Sequence, residues 1–344
     1  MKIPKIITAL TCLILGIMLV ADTAGQTEAV SKSIGVCLTV IVPSLFAFMA
    51  LSTFITTNGI HKIIFKPLYF ILKPVLRFNQ DETAIFLLSV TGGYPVGVKL
   101  LGDRVKADPS YTERASHMLM YCYCGSPVFM IALAGSNTGM YVWLSNVLAC
   151  FVFAVIANIG KFGNSDIRCG ENKVVYCAAG DRGRSPLLVH SVVSAGSALY
   201  RVCLMVILFG VIVRIAEFTG IMELFGNGQD YFRALLEISN LTALKPRNLL
   251  GVSVISGLAS LGGVCVMFQV AAISAGRIKL RKFLISRIPI ALFSGVICRI
   301  ILIFTADGVT AGTGGLTGIT ASVNPVASVC LLIMTGILLV SYRE

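Results

Sequence analysis

The chain has 344 residues, 56% of them hydrophobic and only 13% charged, with a mean hydropathy of +0.87, and a water-soluble globule of that composition would lack the polar surface to stay in solution. Its net charge of +12 is spread along the edges of apolar runs instead of gathered on one face. That is the positive-inside pattern of membrane proteins, and it argues against a nucleic-acid partner. The expected class is all-α: a polytopic membrane protein of about 8–9 hydrophobic segments, with the lipid bilayer as its first partner.

Apolar runs close to the roughly 20 residues that span a bilayer fall at 6–21, 34–57, 83–101, 115–134, 140–159, 194–218, 250–275, 283–305 and 325–340. The first follows Lys2 and Lys5 and precedes ADTAGQTEA, which resembles a signal-peptide cleavage region. Asp22 stands where a small residue is wanted, so residues 1–33 are read as an uncleaved helix followed by an outside loop. Residues 34–160 form a first gate-like unit. Within it, GIHKIIFKPLYFILKPVLRF (59–78) mixes Lys62, Lys66, Lys73 and Arg77 with apolar and aromatic side chains, as a helix lying in the interface does.

The run 83–101 then poses a parity problem. The basic stretch before it and the loop after it, with Arg104, Lys106 and Arg114, both belong inside by the charge rule. The segment should therefore dip in and return, breaking at Gly92-Gly93-Tyr94-Pro95. The run 115–134 carries a comparable break at Cys124-Gly125-Ser126-Pro127. A basic loop, 161–193, is expected in the cytoplasm, a second gate-like unit at 194–305, and an outside loop with a last helix at 306–344.

The second half echoes the first: TNGI (57–60) by FTGI (218–221), LKP (72–74) by LKP (244–246), and Gly92-Gly93 by Gly262-Gly263, at an offset of about 160–172 residues. Corresponding glycine-interrupted segments in two halves point to a transporter's binding site. An inverted repeat would make 250–275 re-entrant and place 277–282 outside. The basic residues of that stretch favour the inside, so the topology of the second half stays open.

Broken helices expose half-helix termini whose N–H groups can hold an anion. Lys99, Arg201 and Arg299 lie inside apolar spans with no acidic partner one helical turn away in the same span. An unpaired cation costs at least ~2.5–3.5 kcal/mol at a bilayer centre, so such residues face a cavity or a partner; snorkelling is the alternative for Lys99 and Arg201. Glu237 reads as a helix-surface partner of Arg233, with Ser239, Asn240 and Gln269 as polar contacts for a ligand. Trp143 reads as an interface anchor. The eleven cysteines lie mostly in apolar runs and act as small hydrophobes. No CxxC or His/Cys spacing indicates a metal or cofactor, and no HExxH, GxSxG or paired intramembrane carboxylates indicate an enzyme.

The stretches VPSLFAFMALS (42–52), LKPVLRF (72–78), GGYPVGVKL (92–100), YCGSPVF (123–129) and SGLASLGGVCVMFQ (256–269) resemble the YlbJ group of sporulation integral membrane proteins, within the nucleoside-recognition gate-domain family. The resemblance covers about residues 35–305. It implies a fold similar to concentrative nucleoside carriers, with paired hairpins meeting at mid-membrane, and transfers a gate role to Gly93, Tyr94, Pro95, Gly97, Lys99, Gly125, Pro127, Gly262 and Gly263. Cys122 and Cys124 depart from the polar or small residues common there. The function it implies is a permease for a small organic anion, dipicolinic acid, across the outer forespore membrane of a sporulating mother cell. The rival readings are a carrier of nucleosides or other neutral solutes, for which Gln269, Asn240 and Ser126 matter more than the cations, and a non-transporting scaffold for spore-envelope assembly. Oligomerisation is left open.

Overall fold

The computed structural model describes residues 3–159, 187–244 and 249–305, and every element among them is helical. Five helical stretches, Thr23–Thr57, Asn137–Ile159, Leu187–Phe218, Leu249–Ser274 and Arg281–Thr305, are long and apolar enough to cross a membrane. The chain is thus built as an integral membrane protein.

Helix α1 (Ile3–Ala21) ends at Asp22, whose carboxylate caps α2 (Thr23–Val36) by accepting from the Gly25 N–H. Helix α2 runs through a π-helical turn, Cys37–Ile41, into α3 (Val42–Thr57). Residues 22–33, expected as an outside loop, are therefore the start of a long helix. Their polar composition hid this, because the helix is held by packing along its side more than by an apolar run.

Helices α4 (His61–Ile64) and α5 (Lys66–Leu76) expose Ile63, Phe70 and Ile71 while burying His61 and Leu76. Helix α5 is exposed along nearly its whole length and buries only Leu76, so it lies outside the helix bundle, where an interfacial helix is expected. A capping box between Asn79 and Glu82 then starts α6 (Gln80–Gly92), and a single residue, Gly93, separates it from α7 (Tyr94–Ala107). Gly93 has φ 101°, a conformation that glycine alone adopts without strain. The chain reverses there. Gly97 of α7 comes back onto Ser89 of α6 so closely that an added Cβ would sit 2.9 Å from the serine Cβ. At the base, Arg104 lies 3.4 Å from Asp81. The run 83–101 is thus the body of a hairpin that returns to the end it left, as the charge pattern required.

Helix α8 (Thr112–Met118) unwinds over residues 119–126 before α9 (Pro127–Ala134) and α10 (Ser136–Ile159). Helix α11 (Leu187–Phe218) includes residues 187–193, which were expected in the preceding loop. It runs antiparallel to α2–α3: Arg214 pairs with Asp22 at 2.6 Å, and the Cys37 thiol reaches the Cys203 carbonyl at 3.8 Å. A 3-10 stretch (Ile221–Gly228), α12 (Gln229–Leu236) and a second 3-10 stretch (Ile238–Ala243) follow.

The last described elements are α13 (Leu249–Leu261), α14 (Gly263–Ser274) and α15 (Arg281–Thr305). Helix α13 is antiparallel to α15, with Ser256 and Ser294 hydroxyls 2.8 Å apart and Gly257 against the Ala291 carbonyl. It therefore enters beside the C-terminal end of α15, and α14 leaves at the N-terminal end. The segment 250–275 crosses with a kink at Gly262 and is not re-entrant. Lys279 and Lys282 then pair with Glu113, which joins 277–282 to the loop after the hairpin at one basic end. This agrees with the charge rule and corrects the inverted-repeat expectation at that point. Gly59 and Gly220, in the TNGI and FTGI echoes, both take positive φ, 73° and 72°, whereas the Gly92-Gly93 and Gly262-Gly263 breaks differ in kind. The later LKP echo runs partly outside the described residues, and the last apolar run, 325–340, lies wholly outside them.

A dense ionic network closes the hairpin base. Asp81 meets His61 at 2.8 Å as well as Arg104; Glu82 receives Arg114 at 2.7 Å and the Tyr111 hydroxyl at 3.1 Å. Burial pushes the Asp81 carboxyl up, but His61, Arg104 and Lys62 outweigh it and hold the group below its ordinary value. A depressed carboxylate contributes stability above its unfolded pKa of about 3.9, and that contribution is lost as pH falls through the folded value. Asp81→Asn should cost roughly 1.5–3 kcal/mol at neutral pH, read as a lower unfolding temperature in detergent, with the gap to wild type closing in acid. Single cysteines replacing Gln80 and Lys106 should be labelled from the same membrane face; labelling from opposite faces would overturn the hairpin.

Candidate functional site

Three backbone breaks meet near the hairpin tip, and each leaves carbonyls without helical partners. In α6 the Val90 carbonyl accepts from the Trp143 indole at 3.0 Å. Where α8 unwinds, the Met120 carbonyl accepts from Arg287. At the end of α13, the Ala259 carbonyl accepts from the Tyr94 hydroxyl at 2.6 Å and the Leu261 carbonyl from Tyr123 at 3.4 Å. Tyr94, Tyr123 and Phe283 continue as a row of rings, centroids 4.9 and 5.0 Å apart, and the Arg287 guanidinium lies over the last two. Arg287 is 0% exposed, and among the described residues no carboxylate pairs with it. Ring faces and a carbonyl carry its charge instead.

Beside the tip lies a cavity of about 220 Å³. Gly93, Tyr94 and Pro95 form one wall and Ser126 with Phe129 another; Gln269 and Val266 of α14, the stretch Glu237–Asn240, and a largely apolar side from Lys32 to Leu45 and from α11 close the rest. Ser126 caps α9, accepting from the Phe129 N–H at 3.2 Å, with Pro127 in the first turn behind it. A second cavity of about 190 Å³ shares Lys32, Glu237, Ser239 and Asn240 with the first and reaches Arg214 and Glu217. The second cavity adjoins the first on the side toward the Asp22 end of the bundle.

Glu237 sets the electrostatics of this site. Arg233, its expected partner, pairs with Glu217 and Asp230, both at 3.0 Å. Helix α12 stops at Leu236, and the extended backbone of Glu237, φ −138° and ψ 114°, turns the side chain off the helix surface. Only 6% of the residue is exposed. Its Oε1 accepts from the Ser239 N–H at 3.2 Å, Oε2 has no well-formed hydrogen bond among the described residues although the Cys265 thiol lies beside the carboxyl, and burial raises that carboxyl above its ordinary value.

The structure gathers Gly93, Tyr94, Pro95, Ser126, Ser239, Asn240 and Gln269 around one cavity. The other candidates serve packing. Gly97 gives room to the Cys122 carbonyl, Gly92 to Phe48, and Gly125 to Met130 and Tyr94; Gly262 abuts Tyr123, and a Cβ added at Gly263 would sit 3.2 Å from the Leu235 carbonyl oxygen. Cys124 is buried in the core. The three cations do not line this cavity. Lys99 is bound by Thr53 at 2.7 Å and by Asp103 at 2.8 Å. That i, i+4 partner lies just beyond the apolar run and so escaped notice. Arg201 donates to the Ala272 carbonyl at 2.8 Å. Arg299 is half-buried and among the described residues makes no hydrogen bond or ion pair. Sequence reasoning missed Arg287, Tyr123 and Lys32, and took Trp143 for an interface anchor although it ties down the hairpin tip.

No family model, curated protein or solved structure matches this chain.

Tyr94→Phe leaves the Ala259 carbonyl without its donor while keeping the ring stack. It should cost about 1–3 kcal/mol of stability, measured as thermal unfolding in detergent, and Trp143→Phe should act similarly at Val90. Unchanged unfolding in both variants would show that these carbonyls find other donors.

Proposed function

We propose that this protein is a membrane carrier that binds a small polar solute, uncharged overall, in the cavity at the hairpin tip. One observation carries the choice of solute: a buried carboxylate, Glu237, with an unpartnered oxygen lines the cavity, whereas Lys99, Arg201 and Arg299 do not. Glu237, Gln269, Asn240 and Ser126 offer acceptors and donors for hydroxyl and amide groups, and Tyr94 and Phe129 offer ring faces. A nucleoside has that mixture of parts. The anion reading, dipicolinate moved across the outer forespore membrane by a YlbJ-type permease, must bring two carboxylates past Glu237 with Lys32 as the only cation among the described lining residues. Two carboxylates taken out of water with one lysine to compensate them are disfavoured. A scaffold leaves the convergence of broken helices on a cavity without use.

Uptake of uridine and of dipicolinate into proteoliposomes separates the readings. Uridine should accumulate faster. Glu237→Gln should reduce its uptake about 10- to 100-fold, the value of a charge-assisted hydrogen bond of roughly 1.5–3 kcal/mol, and Gln269→Ala should reduce it about 2- to 10-fold. Arg299→Gln should change neither solute's uptake. Gly93→Val should stop uptake, because no β-branched residue fits its φ of 101°. Faster dipicolinate uptake, raised further by Glu237→Gln, would overturn the neutral-solute assignment in favour of the anion. Uptake of neither solute would leave no support for transport.

A further inference from the structure

At the basic end of the bundle, away from the hairpin tip, lies a cleft of about 160 Å³ between α7, α11 and the end of α14. Four cations line it, Lys99, Lys106, Arg201 and Arg277, against a single carboxylate, Asp103. Asp103 is already paired with Lys99. Among the described residues Lys106, Arg201 and Arg277 have no acidic partner, so the cleft keeps an uncompensated charge of about three. Arg201 is anchored through one nitrogen to the Ala272 carbonyl, in the last turn of α14, which fixes the guanidinium at the cleft. Ser194 and Ser197 add hydroxyls from the same face of α11. On that helix Val193, Tyr200 and Leu204 are exposed, an apolar strip running away from the cleft.

We propose that this cleft binds a phosphate-bearing anion, and that the occupant is the headgroup of an anionic phospholipid. Three cations from three elements converge on a space with hydroxyl donors, which is the chemistry of phosphate recognition. The exposed strip on α11 supplies a surface for the acyl chains, which a free phosphate would not need. Basic pockets between membrane helices on the inner side hold lipid headgroups by these same forces. The site stands apart from the solute cavity, so its failure would leave the carrier reading untouched.

The test uses the full chain, purified in detergent and reconstituted with phosphatidylglycerol or with phosphatidylcholine, and inorganic phosphate as the free anion. Phosphatidylglycerol should be retained in native mass spectra and raise the unfolding temperature, with an effect that weakens in high salt. Lys106 and Arg277 are exposed and unpaired among the described residues, so Lys106→Gln/Arg277→Gln should fold and should lower phosphatidylglycerol affinity about thirtyfold. Arg201→Gln should lower it independently. Lys66→Gln/Lys73→Gln removes the same charge from the interfacial helix and should change affinity little. Equal loss in that control, or equal retention of both lipids, would overturn the proposal. Protection by inorganic phosphate without lipid preference would assign the cleft to a free anion and overturn the lipid occupant.

Discussion

The structure depends on one constraint: a helix that breaks inside an apolar environment must find donors for the carbonyls it orphans. This chain breaks three times in one place, after α6, after α8 and after α13. Each break is answered by a side chain from another element. Trp143 of α10 serves α6, Arg287 of α15 serves the unwound stretch after α8, and Tyr94 and Tyr123 serve α13. Because each donor belongs to a different part of the chain from the carbonyl it serves, satisfying the breaks also sets how the elements are arranged. The cavity is what this arrangement encloses.

Much of this was legible in the sequence where charge and glycine patterns act directly. The basic residues on both sides of 83–101 demanded that it return, and Gly93 sits where it turns. The four-residue motif Gly92-Gly93-Tyr94-Pro95 and the later Gly125-Ser126-Pro127 marked two of the breaks. What stayed hidden has physical causes. The polar helix α2 carries no apolar run, because it is supported along its flank by α11. Arg287 is the fifth residue of an apolar span and resembles a snorkelling residue until Tyr123 and Phe283 close over it. Glu237 has Arg233 at the helical spacing for a pair, yet the helix ends one residue before it, and no propensity announces that ending. The Gly262-Gly263 echo was misleading for a related reason: two glycines permit a reversal or a kink equally, and packing of α13 on α15 selects the kink.

Charge is sorted along the molecule. The cavity at the hairpin tip holds one buried carboxylate and neutral hydrogen-bonding groups, with Lys32 shared between it and the adjoining cavity. The basic end holds the hairpin's ionic base, the Glu113 pairs and the cleft of Lys99, Lys106, Arg201 and Arg277. Two cations expected to hold a substrate, Lys99 of α7 and Arg201 of α11, line the cleft at the basic end instead of the cavity at the hairpin tip. A cation in an apolar span therefore marks a polar space, and only the structure shows which one.

The two ends of the hairpin are held by groups of different kind. At the base, partly buried charged groups meet in a network, and loss of one partner, as in Asp81→Asn, costs roughly 1.5–3 kcal/mol. At the tip, the ties across the break are the Tyr94 and Trp143 hydrogen bonds between neutral groups, and loss of a donor there costs about 1–3 kcal/mol. Salt and acid weaken the first set and leave the second in place. The Tyr94 wall of the cavity belongs to the uncharged end, so anything that displaces the tip changes the cavity directly, since Gly93, Tyr94 and Pro95 line it.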